Sequence, residues 1–293
     1  MEQAVTTATD CEATEATTEA AAASAAGIGL NTDFVSPTSP QCAKLRAMTV
    51  MLVTGGSRGI GAATARLAAA RGYAVAVNYS ASADRADEVV ADIRAGGGTA
   101  IAIHADVSDE AAVVAMFERI NRDLGTLKVL VNNAGTANQY GVFADLEVDL
   151  MRRMFDVNVI GAFICAREAV RRMSSTRGGN GGVIVNISSR AAEIGGANEW
   201  IDYAATKGAI DSLTSGLGKE LATQGVRVCG IHPGLIDNEF NDHATVGRLD
   251  RIVANVPMQR AGTSAEVAEA ILWLASDAAS YITGSNLHVS GGR

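Results

Sequence analysis

The amino-acid sequence predicts an α/β fold, a single domain built on a doubly wound parallel sheet of about seven strands with helices on both faces. From about residue 48 onward, short apolar and β-branched runs alternate with longer segments rich in helix-forming residues. Glycines stand where those helices would end. The chain is 48% hydrophobic but only 4% aromatic, a balance that suits aliphatic helices packed on a parallel sheet.

The alternation defines the elements in chain order. The predicted strands are 49–54, 74–78, 100–105, 129–132, 182–188, 226–232 and 286–289. The predicted helices are 59–71, 83–95, 110–124, 146–173, 203–223 and 264–276. Four of these helices are followed by glycines that we expect at C-terminal caps, namely Gly72, Gly96, Gly125 and Gly225.

Residues 1–47 differ in composition from the rest of the chain. Ala, Thr and Glu make up 20 of the first 26 residues, and no Lys or Arg precedes Lys44. We therefore expect residues 1–47 to be a disordered, low-complexity extension, neither a secretory signal nor a transit peptide, before a domain at 48–293. Because Met48 directly precedes the first predicted strand, a start of translation at Met48 is a further hypothesis.

Charge and cysteine usage exclude several classes of protein. The net charge is −8, and neither residues 1–47 nor the remainder carries a basic stripe, so we expect no nucleic-acid or membrane partner. No run of 18 apolar residues predicts a membrane span. The four cysteines are scattered, no Cys/His cluster indicates a metal, and a cytoplasmic protein is expected.

A glycine-rich turn, Thr54-Gly-Gly-Ser-Arg-Gly-Ile-Gly61, lies between the first predicted strand and the first predicted helix. A strand, a glycine turn and a helix N-terminus direct backbone N–H groups at a phosphate. Gly55, Gly59 and Gly61 would let the backbone approach a pyrophosphate closely. The alternative is a flexible surface turn.

Tyr203 and Lys207 are four residues apart on a predicted helix, so both side chains lie on one face. An ammonium beside a phenol favours the phenolate, which gives a group able to exchange a proton near neutral pH. Interconverting an alcohol and a carbonyl needs such a group. Taken alone, the pair could equally be two solvated helix residues.

In this order and spacing, these motifs resemble the short-chain dehydrogenase/reductase family, from about Met48 to Arg293. The chain is most similar to the single-domain NADP(H)-type branch, with 3-oxoacyl-carrier-protein reductases and glucose dehydrogenases. The resemblance implies a Rossmann-like fold. It rests on the glycine turn, Asp106-Val107, Asn132-Asn-Ala-Gly135, Asn158, Ser188-Ser189, Tyr203 with Lys207, and Pro233-Gly234.

The resemblance implies a set of cofactor-binding residues: Gly55, Ser57, Arg58, Gly59, Ile60, Gly61, Asn78, Asp106, Val107, Asn133, Ala134, Gly135, Tyr203, Lys207, Pro233, Gly234, Ile236 and Asn238. Residues 77–82, at the end of the second strand, contain no acid, and the Arg58 guanidinium suits a phosphate. NADP(H) is therefore expected, with NAD(H) as the alternative. Asp106 could border the adenine, cap the following helix, or both. Asn238 stands where relatives usually have Thr.

The same resemblance implies the catalytic residues. Tyr203 would be the acid/base, and Lys207 would stabilise its phenolate and bind the nicotinamide ribose. One serine would polarise the substrate oxygen; Ser189 is preferred over Ser188, since relatives usually use the second of the pair. Asn158 would bend its helix and hold a proton-relay water, where sequence alone indicates a bend or a surface position.

The predicted function is hydride transfer between NADP(H) and a small carbonyl or alcohol substrate. The alternative is a non-catalytic NADP-binding sensor or regulatory protein on the same fold. Residues 136–140, 190–200 and 235–256 are expected to line the substrate pocket. Trp200 would either wall this pocket or lie in a subunit interface, and His104 and His288 are expected in the core or at its rim. The resemblance also implies a homo-oligomer, a tetramer or a dimer.

Overall fold

The computed structural model describes residues 48–138, 141–241 and 248–293. The predicted disordered extension at 1–47 lies outside the described residues, as do Gln139, Tyr140 and His243, which border the predicted substrate pocket.

Seven parallel strands form one sheet in the order β3-β2-β1-β4-β5-β6-β9. The order reverses direction between β1 and β4, which is the doubly wound topology that the sequence predicts. The strands of this sheet are β1 (Val50–Val53), β2 (Ala74–Tyr79), β3 (Thr99–His104), β4 (Leu127–Asn132), β5 (Gly182–Ile187), β6 (Val226–Pro233) and β9 (Asn286–Val289). The fold prediction is thereby confirmed, with strand ends shifted by one or two residues.

Helices cover both faces of the sheet. In chain order they are α1 (Gly59–Ala70), α2 (Ala83–Ala95), α3 (Glu110–Asp123), α4 (Val148–Phe155), α5 (Ala162–Met173), α6 (Ala191–Ile194), α7 (Ile201–Leu221), α8 (Arg248–Val253) and α9 (Ser264–Ala275). One hydrophobic cluster joins α1, α2 and α9 to one face, and a second joins α3, α5 and α7 to the other. Within β1, Met51 and Val53 belong to the first cluster and Val50 and Leu52 to the second. Both faces are buried, so the strands read as continuous apolar runs.

The long helix predicted at 146–173 is interrupted. A π-helical segment, Asp156–Gly161, separates α4 from α5, and Asn158 lies inside it. Single π-turns within α-helices are frequent at functional sites. The expected bend near Asn158 is therefore present as an insertion in the helical ladder, at a residue that is buried.

The sequence analysis missed a small second sheet. β7 (Ile236–Asp237) pairs in parallel with β8 (Gly262–Thr263), and these two-residue strands are too short to leave a periodic pattern. Thr263 then caps α9, with the Glu266 side chain reaching back to the Thr263 backbone in a capping box.

Among the described residues, no helix combines the length and apolar character needed to cross a bilayer. The thiols of Cys165 and Cys229 are free and buried, and burial raises the pKa of Cys165 to about 12. At neutral pH Cys165 is thus a thiol in the core, as expected from its apolar context.

Candidate active site

A cleft of about 460 Å³ opens at the carboxyl ends of the central strands. The glycine turn forms one wall, the ends of β2 and β4 continue it, and α7 forms the opposite side. Apart from Gly61 and Asn158, which lie behind the wall, every predicted cofactor-binding and catalytic residue borders this cleft. Strand polarity explains the convergence, because the carboxyl ends of parallel strands meet at one edge of the sheet.

The glycine turn depends on two glycines for different reasons. Gly59, the first residue of α1, has a φ of +53°, a conformation that side chains with Cβ atoms rarely adopt. A Cβ on Gly61 would overlap the carbonyl oxygen of Gly55 and lie 2.7 Å from Nδ2 of Asn133. The turn is thus packed against β4, which does not fit the flexible surface turn considered above.

Polar side chains hold the turn in place. Asn133 Nδ2 donates to the carbonyl oxygens of Thr54 and Gly55, at 2.8 and 3.1 Å. Thr54 Oγ1 accepts from the backbone N–H groups of Asn133 and Ala134, at 2.9 and 3.0 Å. The Asn132-Asn-Ala-Gly135 motif therefore clamps the turn to the end of β4.

Asn78 has a similar bracing role at the end of β2. Its Oδ1 accepts from the N–H of Gly55 at 3.2 Å, and its Nδ2 donates to the carbonyl of Ala105 at 2.9 Å. The side chain is buried, so both ends of the amide serve the backbone. Arg58 lies beside it at the N-terminus of α1, on the cleft wall, and caps the helix without a side-chain hydrogen bond.

Asp106 is tied to Arg153, which the sequence analysis missed. Arg153 Nη2 donates to Asp106 Oδ2 at 2.6 Å, and Ser108 Oγ donates to Asp106 Oδ1 at 2.7 Å. Burial raises the pKa of the Asp106 carboxyl, but these hydrogen bonds outweigh burial and hold it below its ordinary value. The helix-cap alternative for Asp106 is wrong: Asp109 is the N-cap of α3 and accepts from Ala111 and Ala112.

Tyr203 and Lys207 lie on one face of α7, as their spacing predicts. Lys207 Nζ lies 5.5 Å from the centroid of the Tyr203 ring and donates to the carbonyl of Ile187 at 2.8 Å. Both residues are buried and both border the cleft. Burial lowers the pKa of Lys207 to about 8, and the charge of Asp211 opposes that change. These geometries do not fit two solvated helix residues.

The two candidate serines differ in their partners. Ser188 is buried, and its Oγ donates to the carbonyl of Lys207 at 3.1 Å, so it links β5 to α7. Ser189 is partly exposed at the cleft, and its Oγ accepts from the N–H of Ala191 at 3.1 Å, which leaves its proton available for another acceptor.

Asn158 clamps the backbone of Thr136. Its Oδ1 accepts from the Thr136 N–H and its Nδ2 donates to the Thr136 carbonyl, both at 2.8 Å. Nδ2 also lies 3.2 Å from Thr206 Oγ1 on α7. The π-turn thus places Asn158 between α7 and the loop after β4.

The segment after β6 carries the remaining predicted residues. Asn238 Oδ1 accepts from the N–H of Phe240 at 3.1 Å, and its Nδ2 lies 3.4 Å from Ser264 Oγ. A Cβ on Gly59 would lie 3.4 Å from the same Nδ2. Asn238 therefore lies close to the glycine turn, on the other side of the cleft.

Three aromatic rings wall the far end of the cleft. The Trp200 and Tyr203 centroids are 5.3 Å apart, and the Phe240 ring lies 5.8 Å from each. Trp200 Nε1 donates to the carbonyl of Asn138 at 3.0 Å. Of the two alternatives for Trp200, this placement favours the pocket wall. Phe240 lies within residues 235–256, which are predicted to line the substrate pocket, although a single phenylalanine in a polar segment has no pattern that marks it individually.

Comparisons with known proteins find related oxidoreductases. A family model described as enoyl-(acyl carrier protein) reductase matches residues 55–293. The uncharacterized oxidoreductase YgfF of Escherichia coli K12 is 50% identical over 249 residues, which cover 84% of this chain and 100% of that protein. The 3-oxoacyl-[acyl-carrier-protein] reductase FabG of Staphylococcus aureus Mu50 is 36% identical over 241 residues, or 82% of this chain and 96% of that protein. A solved short chain dehydrogenase from Burkholderia cenocepacia J2315 in complex with NADP is 36% identical, with a TM-score of 0.78 over 83% of this chain and 97% of that chain.

Proposed function

The chain belongs to the short-chain dehydrogenase/reductase family and is an oxidoreductase, and from this premise we propose that residues 48–293 form an NADP(H)-dependent enzyme. It interconverts a carbonyl and an alcohol on a small-molecule substrate, with Tyr203 as the acid/base. The observation that carries this proposal is the buried Tyr203–Lys207 pair on one side of a cleft whose other side is the glycine turn.

The residues present fit a dinucleotide. Gly61 lets α1 pack closely against the Gly55 carbonyl, and the N-terminus of α1, which borders the cleft at Gly59 and Ile60, favours the negative charge of a pyrophosphate. Arg58 would receive a 2′-phosphate, since a guanidinium pairs well with phosphate oxygens. The Burkholderia relative in complex with NADP supports this assignment. When bound, the cofactor supplies the hydride chemistry.

Tyr203 transfers the proton, and Lys207 makes the Tyr203 hydroxyl easier to ionise. A protonated Lys207 stabilises the phenolate form of Tyr203 electrostatically. Since burial lowers the pKa of Lys207 to about 8, this positive charge is lost as the pH rises through that value. We therefore expect kcat/KM, which reports the free enzyme, to fall above about pH 8.

Ser189 polarises the substrate oxygen by donating a hydrogen bond to it. Ser188 is a matched control, because it is next in the chain but serves the backbone of α7. Ser189→Ala is expected to lower kcat by about 10²-fold, the loss typical of one oxyanion donor, without weakening NADPH binding. Ser188→Ala should instead act mainly on stability; a larger catalytic loss in Ser188→Ala would reverse the assignment.

The proposal also specifies the class of reaction that the enzyme catalyses. The matching family model carries the description of an enoyl reductase, but relatives of that type place Tyr and Lys further apart than the four residues found here. We propose ketone reduction or alcohol oxidation on this ground. The rings of Trp200 and Phe240 favour a substrate with an apolar face next to its carbonyl.

The test compares wild type with Tyr203→Phe. NADPH binding is followed by fluorescence, and turnover by NADPH oxidation with ketones, 3-oxoacyl thioesters and enoyl thioesters, and by NADP reduction with alcohols and sugars. Tyr203→Phe is expected to bind NADPH normally and to lose about 10³-fold in kcat/KM. Tyr281→Phe, at a fully exposed tyrosine, is the control and should match wild type.

The panel also separates the alternatives. Turnover of enoyl thioesters alone would replace carbonyl reduction with enoyl reduction. NADPH binding without turnover of any compound in the panel would favour the sensor alternative, and tighter binding of NADH than NADPH would overturn the assignment of Arg58.

We also propose that the chain forms a homo-oligomer. Large apolar side chains are exposed along the stretch from Val142 through α4 to Phe163, including Phe143, Leu150 and Ile160. Large apolar side chains exposed within one stretch of chain favour an interaction surface there. Sedimentation velocity should give a dimer or tetramer, and Phe143→Glu with Ile160→Glu should shift it toward the monomer; a monomeric wild type would refute the proposal.

A further inference from the structure

Glu193, His232 and His288 come together beside the proposed active site. His232 on β6 and His288 on β9 are register partners on neighbouring parallel strands. Glu193 lies on α6, the short helix that follows Ser189. One ligand atom from each of the three residues falls within 4.8 Å of the other two.

His232 presents an unpartnered nitrogen to this cluster. The residue is only 1% exposed, and its Nε2 lies 2.8 Å from Oδ1 of Asp211 on α7. Because the carboxylate accepts from Nε2, the lone pair of the ring is on Nδ1. That buried Nδ1 has no hydrogen-bond partner, and Glu193 Oε1 lies 3.3 Å from it.

The two oxygens of Glu193 have different partners. Oε2 pairs with Arg190, while Oε1 lies 3.0 Å from His288 Nε2 and 3.3 Å from His232 Nδ1. Arg190 thus orients the carboxylate so that its second oxygen is directed at both imidazoles. With neutral histidines, the two carboxylates of Glu193 and Asp211 and the guanidinium of Arg190 sum to a charge of −1, which favours a cation.

We propose that Glu193, His232 and His288 form a binding site for a divalent transition-metal ion of the zinc type. Zinc binds imidazole nitrogen and carboxylate oxygen at about 2.0–2.2 Å, so two tetrahedral ligand atoms are about 3.3 Å apart. The distances of 3.0 and 3.3 Å from Glu193 Oε1 match that spacing. Two nitrogens and one carboxylate oxygen favour zinc, nickel or copper over magnesium or calcium.

Two features of the cluster bear on how the ion binds. The imidazole rings are stacked, with planes 13° apart, so the His288 ring must turn for both nitrogens to face one ion. The His288 side chain is 47% exposed, which leaves room for that rotation. Arg190 Nη1 lies 3.4 Å from His288 Nε2 and would repel the ion, so Arg190 lowers the affinity expected for this site.

Asp211 is the positioning residue for His232, as a carboxylate behind a metal-bound histidine usually is. An ion held here would join β6, β9 and the segment after Ser189. The backbone of Arg190 already donates to the carbonyl of Pro233 at 3.1 Å, which links that segment to the end of β6. The binding site does not depend on the proposed reaction, and its test needs no substrate.

The experiment is titration of untagged full-length protein with zinc chloride, followed by calorimetry and by thermal unfolding. Wild type is expected to bind one ion and to gain roughly 5–10 °C in Tm at a hundredfold excess over Kd. His288→Asn and Glu193→Gln should each lose the shift. His104→Asn and His243→Asn are the matched controls and should keep it. No shift in wild type, or an equal shift in His288→Asn, would overturn the proposal.

Cobalt(II) identifies the ligands directly. Binding at this site gives visible d–d absorption without the near-ultraviolet charge-transfer band of cobalt–thiolate bonds, and His288→Asn should abolish it. A thiolate band would assign the ion to cysteines such as Cys11 or Cys42 and contradict the proposed site.

Discussion

The two ends of the cleft are built differently. At the glycine turn, polar side chains are used to hold the backbone: Asn78, Asn133 and Thr54 bond to main-chain groups of the turn and of neighbouring strands. At the other end, the rings of Trp200, Tyr203 and Phe240 contact one another and border the cleft.

The difference separates two kinds of recognition. A pyrophosphate is bound by backbone N–H groups and a helix N-terminus, so side chains there serve to position the backbone. A carbon skeleton is bound by side-chain surface, which a single substitution alters. We therefore expect changes at the glycine end to act on cofactor affinity through geometry, and changes at the aromatic end to act on substrate alone.

Gly61→Ala should have the largest effect on binding. The added Cβ would overlap the Gly55 carbonyl oxygen and crowd Asn133, so the turn must shift at a cost of about 1–3 kcal/mol. NADPH affinity, measured by fluorescence titration, should fall about 10- to 100-fold. Gly216→Ala, inside α7 where a Cβ meets nothing within 4 Å, is the control and should bind NADPH normally. Equal affinity in both variants would mean that the backbone fit is not what binds the cofactor.

Lys207→Met tests what burial of a charge does to stability. With its folded pKa lowered to about 8, Lys207 disfavours folding below that pH, and the penalty disappears as pH rises toward the unfolded value of 10.5. Lys207→Met removes this penalty and so raises the unfolding free energy above that of wild type at pH 7. That difference between variant and wild type should shrink by about 2–3 kcal/mol from pH 7 to pH 10. Urea unfolding at several pH values measures it, and a pH-independent difference would contradict the lowered pKa.

Arg58→Ser should act on one cofactor only. Loss of a charge-assisted hydrogen bond at an exposed position should weaken NADPH binding about tenfold, or about 1.4 kcal/mol, and leave NADH unchanged. Arg66→Ser is the control, because that arginine pairs with Asp92 away from the cleft. A parallel loss for NADH would show that Arg58 supports the turn and does not select the phosphate.

Trp200→Ala should have the smallest effect of these four changes, and it tests the aromatic end of the cleft. Loss of one ring from the substrate wall should raise KM by roughly five- to tenfold, about 1 kcal/mol, with NADPH affinity unchanged. Trp273→Ala, at an exposed tryptophan on α9, provides the comparison. If Trp200→Ala weakened NADPH binding as much as substrate binding, the two ends of the cleft would not be independent.

Much of the site could be predicted because its signals are local. The glycine turn, the Tyr203–Lys207 spacing and the alternation of strands and helices each lie within a few residues of chain, where steric rules and helical periodicity act directly. Contacts between distant segments have no such local signal. Arg153 meets Asp106 across 47 positions, and Phe240 reaches Trp200 only through folding of the segment after β6.

The sequence by itself determined the fold class, the family and the residues that end each strand at the cleft, since hydrophobic period and glycine placement are properties of the chain. Only the tertiary structure decided which side chain faces where. Both serines border the cleft, but the tertiary structure bonds the Ser188 hydroxyl to the Lys207 carbonyl and lets the Ser189 hydroxyl accept from Ala191. It also brings Glu193, His232 and His288 together. These outcomes depend on strand register and on packing between distant segments. Neither is encoded in any short stretch of sequence.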